Sequence, residues 1–176
     1  MAAMKSPLRT VAATAALCLL LSACAPVLET PPGPTGPGPK ERLAAIDAVA
    51  GAEDTELDVQ PLRDPQVEDL RLRARRALDA DDTGAAADAL DQALLILPDD
   101  PTLLQERAEV ALLQAQYERA DTLARRAYEV GSKVGPLCRR HWATVEQARL
   151  ALGLAQDAAA AQARIGACTV PGLKRM

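Results

Sequence analysis

The sequence predicts an all-α domain, an α-solenoid of about three antiparallel helix pairs. Three observations point there. From Pro65 onward apolar residues recur at three- and four-residue spacing, the period of a helix with one buried face. The same stretch superimposes on itself at a shift of 34 residues, so that Leu70, Arg73, Ala74, Ala77, Leu78, Ala86 and Ala93 fall on Leu104, Arg107, Ala108, Ala111, Leu112, Ala120 and Ala127. The chain of 176 residues has no Phe, one Trp and two Tyr, which leaves Ala and Leu to fill the core. Small side chains let helix backbones approach closely, which suits paired helices better than a sandwich packed on aromatic rings.

Residues 1–23 read as a leader. Lys5 and Arg9 precede an apolar run, Val11–Leu21, broken only by Thr14, and no acid occurs before Glu29. The run is far short of the roughly 20 residues that a membrane-spanning helix needs, and the order of charge, apolar run and small residues is that of a secretory signal. Its end, Leu21-Ser22-Ala23-Cys24, resembles the lipobox of bacterial lipoproteins. That resemblance implies cleavage before Cys24 and a covalent lipid on it, which is the only attached group expected. Two or more acyl chains anchor a protein stably where one does so only marginally. Ala25 is not the aspartate that retains many such proteins at the inner membrane, so the resemblance implies the periplasmic face of the outer membrane.

Residues 24–40 are the lipidated cysteine and a tether. Six of residues 25–40 are proline and three are glycine, and such an extended segment reaches up to about 50 Å. Residues 41–64 are expected to hold one short helix, around Leu43, Ile46 and Val49, capping the first end of the solenoid, and a loop.

Residues 65–170 form the predicted helical domain, ahead of a tail at 171–176. Asp64-Pro65 and Asp100-Pro101 each place an N-cap acid before a proline at the first helical position, where its missing N–H costs nothing. Asp81-Asp82-Thr83-Gly84 and Gln114-Ala115-Gln116-Tyr117 supply the turns within the first and second units. The 34-residue period and its small residues resemble the tetratricopeptide (TPR) repeat, a helix–turn–helix unit stacked into a superhelix. A third unit follows the break at Gly131–Pro136, with Trp142 near its start, Gly153 at its turn and Ala158 early in its second helix. It needs a shift of 38, read as four extra loop residues, and it puts Glu146 and Arg149 where small or apolar residues are expected.

Cys138 and Cys168 lie at the start of the first helix and the end of the second helix of that unit. Antiparallel helices bring those ends together, and in an oxidising periplasm a disulfide is the expectation. The rival is a metal held by Cys138, His141 and Cys168, one ligand short of a structural zinc site. With the disulfide made, His141 is expected at the surface or in the groove beside Arg139 and Arg140.

Catalysis is not expected. Beyond residue 23 there is one serine, Ser132, and one histidine, His141, with no third group to orient them. Without residues 1–23 the chain has eighteen cations against 24 acids, a formal charge of −6, which gives no basic face for nucleic acid. The resemblance implies an envelope scaffold or adaptor that binds a protein or peptide in the superhelix groove. An assembly lipoprotein of a secretion or pilus system, or a structural spacer, are the alternatives. In the TPR family the first helices line the groove, which implies Arg71, Arg75, Gln105, Glu109, Leu112 and Arg140 as partner-facing residues, with Glu68 and Gln147 beside them. The family's carboxylate clamp uses asparagines, and this chain has none. Its arginines, which pair bidentately with carboxylates, make an acidic or C-terminal segment the expected ligand.

Overall fold

The computed structural model describes residues 36–51 and 64–169. These form α1 (Pro39–Ala50), α2 (Pro65–Asp79), α3 (Thr83–Ile96), α4 (Pro101–Leu113), α5 (Tyr117–Val130), α6 (Pro136–Ala151) and α7 (Ala155–Ala167), with no strand among the described residues. The pairs α2–α3, α4–α5 and α6–α7 are helical hairpins, and each second helix packs on the next first helix. The fold is the all-α, TPR-like solenoid of three helix pairs that the repeat predicts. Cys24, the leader and most of the tether lie outside the described residues, as do residues 52–63 and the tail.

Local chemistry starts α2, α3 and α4 where the sequence places them. The Asp64 carboxylate accepts from the Gln66 N–H at 2.7 Å, and that of Asp100 from Thr102 and Leu103 at 2.8 and 2.9 Å. Asp82 accepts from Ala85 at 2.9 Å and caps α3. Each such cap satisfies N–H groups that the first helical turn leaves without a partner.

The turns inside the three units share one geometry. Asp81, Ala115 and Gly153 are left-handed, with φ of 57°, 56° and 74°. The N–H after each returns to a carbonyl of the preceding helix: Asp82 to Ala77, Gln116 to Ala111 and Leu154 to Arg149, at 2.8, 2.8 and 2.9 Å. Gly153 takes this conformation without the Cβ clash that Asp81 and Ala115 carry.

Ala74, Ala108, Ala86, Ala120, Ala93 and Ala127 are all buried where paired helices cross. Gly131 marks a closer approach still, since a Cβ there would sit 2.9 Å from Pro101 Cβ and 2.8 Å from the Ala127 carbonyl. The third unit differs from its expected register. Only one extra residue lies in the loop before α6. The other three lengthen the helix, which has 16 residues against 13 in α4. The small residues that α6 buries are therefore Ala143 and Ala148, while positions 146 and 149 sit at its partly exposed edge.

The first helix also departs from expectation. It begins at Pro39, inside the stretch read as tether, and it does not cap the first end of the solenoid. It lies against α6 and α4, on the face where the first helices meet. Arg42 Nη1 donates to the Gln147 carbonyl at 3.1 Å and Arg139 Nη2 donates to the Ala50 carbonyl at 3.2 Å, so α1 runs antiparallel to α6. Ile46 is fully buried with Leu112, Ala111, Ala143 and Ala148, a burial that contributes about 2 kcal/mol. Alanines on α4 and α6 leave a trough, and a trough lined by small apolar groups is stabilised by whatever apolar helix fills it.

Candidate functional site: a cleft on the concave face

Between α1, α2, α4 and α6 a cleft of ≈ 280 Å³ remains open. Its walls are apolar, with Ala74 and Leu78 from α2, Leu90 from α3, Val110 and Leu113 from α4, Leu137 from α6 and Leu43 from α1. Arg71, Arg75, Thr102, Gln105, Glu106, Glu109 and Arg140 complete the lining. Five of the six groove residues expected from the sequence thus converge here.

Leu112 does not. It is fully buried beneath α1, because the helix expected to cap the solenoid covers that part of the face instead. Glu68 and Gln147 are drawn into contacts within the chain, Glu68 with Arg71 and Arg75, and Gln147 with Arg42.

The arginines are not an unpaired patch. Arg71, 8% exposed, donates through Nε to Glu106 Oε2 at 2.9 Å, through Nη2 to Glu106 Oε1, and through Nη1 to Glu68 at 2.8 Å. Arg75 Nη2 pairs with Glu68 at 2.9 Å. Arg140 pairs with Glu109 through Nε and, at 2.9 Å, through Nη2, and with Asp47 of α1 at 2.7 Å. The hydrogen bonds that Arg71 donates to Glu106 raise its pKa above the ordinary value. Burial works against the Arg140 charge, but Glu109 and Asp47 outweigh it and hold its pKa up as well. A carboxylate ligand would have to displace carboxylates already in place, so the expectation of a free guanidinium patch is corrected. What the cleft offers a ligand is an apolar floor with a rim of internally balanced charge.

Beneath the rim lies a buried polar relay. Gln105 donates to Glu109 and to Thr144 Oγ1, both at 2.7 Å, and accepts from His141 Nδ1 at 2.7 Å. With Nδ1 donating in a neutral ring, Nε2 is left an acceptor, without a partner among the described residues. His141 is neither a surface nor a groove residue, because it is fully buried. Burial, then the charges of Lys133 and Arg140, push its pKa down to about 4.

Cys138 and Cys168 come together as a disulfide pair with Cα atoms 5.7 Å apart, and the Gly135 N–H donates to the Cys168 carbonyl beside them at 2.8 Å.

Two buried arginines outside the expected groove hold the helices together. Arg107, almost wholly buried, reaches back to Asp91 at 2.8 Å, and Arg42 holds α1 in place. The usable signal is opposite charge about one repeat apart, since Arg71–Glu106 and Glu109–Arg140 span 35 and 31 residues. First helices of neighbouring units lie side by side, so residues one period apart face each other.

No protein-family model matches the chain, and no curated protein does. Among solved structures, the globular C-terminal domain of P. aeruginosa LpoP is similar to it, with a TM-score of 0.57 and 28% sequence identity over 60% of this chain and 99% of that one. Among the described residues no helix is long and apolar enough to cross a membrane.

Proposed function

We propose that this chain is a lipid-anchored adaptor of the bacterial envelope, held at the periplasmic face of the outer membrane through Cys24, whose concave cleft takes a short apolar segment of a partner protein. The cleft carries this reading. Its floor of Leu43, Leu78, Leu90, Val110 and Leu113 is preformed, and its rim charges are already paired, so apolar side chains gain burial there without having to break an ion pair. A leader ending in Leu-Ser-Ala-Cys and a proline- and glycine-rich tether before a globular helical domain fit a protein that searches for its partner on a leash. The likeness to a domain that is itself C-terminal in its own protein fits the same order. Catalysis has no place in the proposal.

The test is photocrosslinking in intact cells, with the crosslinker at Leu78 or Leu113 and, as control, at Leu95, which is 85% exposed and lies outside the cleft. A single protein band from the cleft positions, absent from Leu95 and lost when Leu113→Glu is added to the Leu78 probe, is the expected result. Equal crosslinking from Leu95 sinks the cleft as the binding site. For the anchor, Cys24→Ser is expected to abolish acyl labelling and to release the protein or stall its processing.

A further inference from the structure

A second recess lies between α5, α6 and α7 and shares no lining residue with the cleft. It encloses ≈ 370 Å³. At its base is Trp142, the one tryptophan of the chain and 7% exposed. The Tyr128 ring packs against the indole with centroids 4.9 Å apart. Arg164, on α7, lays its guanidinium over the indole face at 4.6 Å, and Arg125 and Arg149 line the same space. Lys133 sits 4.2 Å over the Tyr128 ring.

The charges here are not balanced as they are around the cleft. Asp121 is shared between two guanidiniums, accepting from Arg125 Nε at 2.9 Å and Arg149 Nε at 2.8 Å. Glu129 is the other carboxylate at the recess, which leaves Arg125, Arg149 and Arg164 against two acids, in a chain whose formal net charge is −4. Among the described residues Arg164 makes no ion pair and no hydrogen bond; its contact is the indole face alone. Stacking occupies the π-face of a guanidinium and leaves its in-plane N–H fork open, preorganised for a carboxylate.

We propose that this recess is a second binding surface, which takes an acidic segment of a protein. Arg164 pairs with a carboxylate side chain or a C-terminal carboxylate, Trp142 serves as the platform that fixes Arg164, and Arg125 and Arg149 supply the surrounding positive field. A peptide fits this geometry better than a membrane does. A bilayer presents its head groups to flat or protruding basic surfaces, whereas the base of this site is recessed and reached by a strand of chain. With the cleft, the domain then carries two sites on different helix sets, one reading apolar side chains and the other negative charge.

Trp142, being the one tryptophan, reports on the site directly. The chain from Cys24 onward, with Cys24→Ser for solubility, is titrated with hexaglutamate, with hexaglutamine and with vesicles of phosphatidylglycerol or phosphatidylcholine, while Trp142 fluorescence is followed. Hexaglutamate is expected to change the emission saturably at low salt and hexaglutamine to leave it unaltered. Arg164→Gln, an exposed change that leaves the helical circular dichroism intact, is expected to weaken hexaglutamate about tenfold, as loss of a charge-assisted bidentate contact does. Arg164→Lys, which keeps the charge but not the fork, is expected to recover part of that loss. A flat hexaglutamate titration overturns the proposal, and so does a response that Arg164→Gln leaves undiminished. Binding of phosphatidylglycerol vesicles that hexaglutamate does not displace overturns it in favour of a lipid surface.

Discussion

The concave face has two halves that the sequence pattern makes alike and the structure makes different. Over α4 and α6, α1 is seated: Ile46 and Leu112 are fully buried, Arg42 is 4% exposed, and what was to be groove has become core. Over α2 and α4 no described helix is seated, and among the described residues the face is an open cleft edged by Arg71, Glu68 and Glu106. The difference teaches that position on the groove side of a first helix does not decide a residue's role. What decides it is whether another element of the same chain covers that position. Covered, the face stabilises the fold; uncovered, its charges must be paired within the chain, and they are.

The largest effect tests whether the covered half rests on its own staple. Cys138 and Cys168 close a loop with a sequence separation of 30 residues across α6 and α7, and α6 is the helix on which α1 chiefly lies. Removing such a link is expected to cost about 3.5 kcal/mol. Cys168→Ser should lower the melting temperature and, in hydrogen exchange, deprotect α1, α6 and α7 ahead of α2 and α3. Oxidised, denatured protein beginning at Cys24→Ser should show no free thiol. Two free thiols together with bound zinc would restore the metal alternative.

Next is the seat of α1 itself. Ile46→Ala removes a fully buried side chain from the contact with Leu112, Ala143 and Ala148, and about 3 kcal/mol of stability should go with it. Val49→Ala, on the same helix but 36% exposed, should cost less than about 0.5 kcal/mol. Equal, small losses at both positions in chemical denaturation would mean that α1 is not part of the folded unit, and the contrast between the halves would disappear.

What was legible in the sequence follows the range of the interaction concerned. The hairpins were readable because their signals are local: Asp-Pro caps, turn residues one period apart, and alanines at crossings that the 34-residue shift superimposes. The seat of α1 was not, because one deeply buried isoleucine and a partly buried leucine make no marked apolar stripe, and the trough they fill is built from residues some sixty to a hundred positions later. Cys138 and Cys168 were found because antiparallel helices dictate that their ends meet. The burial of His141 was missed because the flanking Arg139 and Arg140 suggest a solvated face, whereas the polar partner it needs, Gln105, lies one repeat back.

The third effect concerns pH and the relay beneath the boundary of the two halves. His141 is the one histidine in the chain, and its pKa in the folded protein is about 4 against an ordinary 6.5. The unfolded chain therefore takes up a proton first as pH falls. The stabilisation from neutral His141 is complete above about pH 6.5 and is lost progressively toward pH 4, amounting to about 2 kcal/mol between pH 7 and pH 5. Glu146, whose pKa burial raises, works in the opposite sense. Denaturation midpoints measured across this range should slope downward toward acid, and His141→Gln should flatten the slope while lowering its starting point.

The smallest effect separates two arginines that the sequence treats as a pair. Arg71 and Arg75 lie four residues apart on one helix, and their joint reversal to glutamate would leave stability unchanged if both were exposed groove residues. They are not equivalent. The Arg71 side chain is 10% exposed and bridges Glu68 and Glu106, whereas that of Arg75 is 54% exposed and among the described residues pairs with Glu68 alone. Removing the Arg71 charge leaves two carboxylates facing each other with their shared donor gone, at a cost of about 1.5 kcal/mol after allowance for the exposure of both acids. Arg75→Gln removes one solvent-screened pair and should stay within about 0.5 kcal/mol of the parent. Glu106→Gln combined with Arg71→Gln should recover part of the first loss, because it removes the carboxylate that Arg71 held, while Glu68 keeps Arg75. Equal, negligible costs at 71 and 75, measured by urea denaturation at 0.15 M salt, would return both residues to the solvent and reopen the uncovered half as a free guanidinium surface.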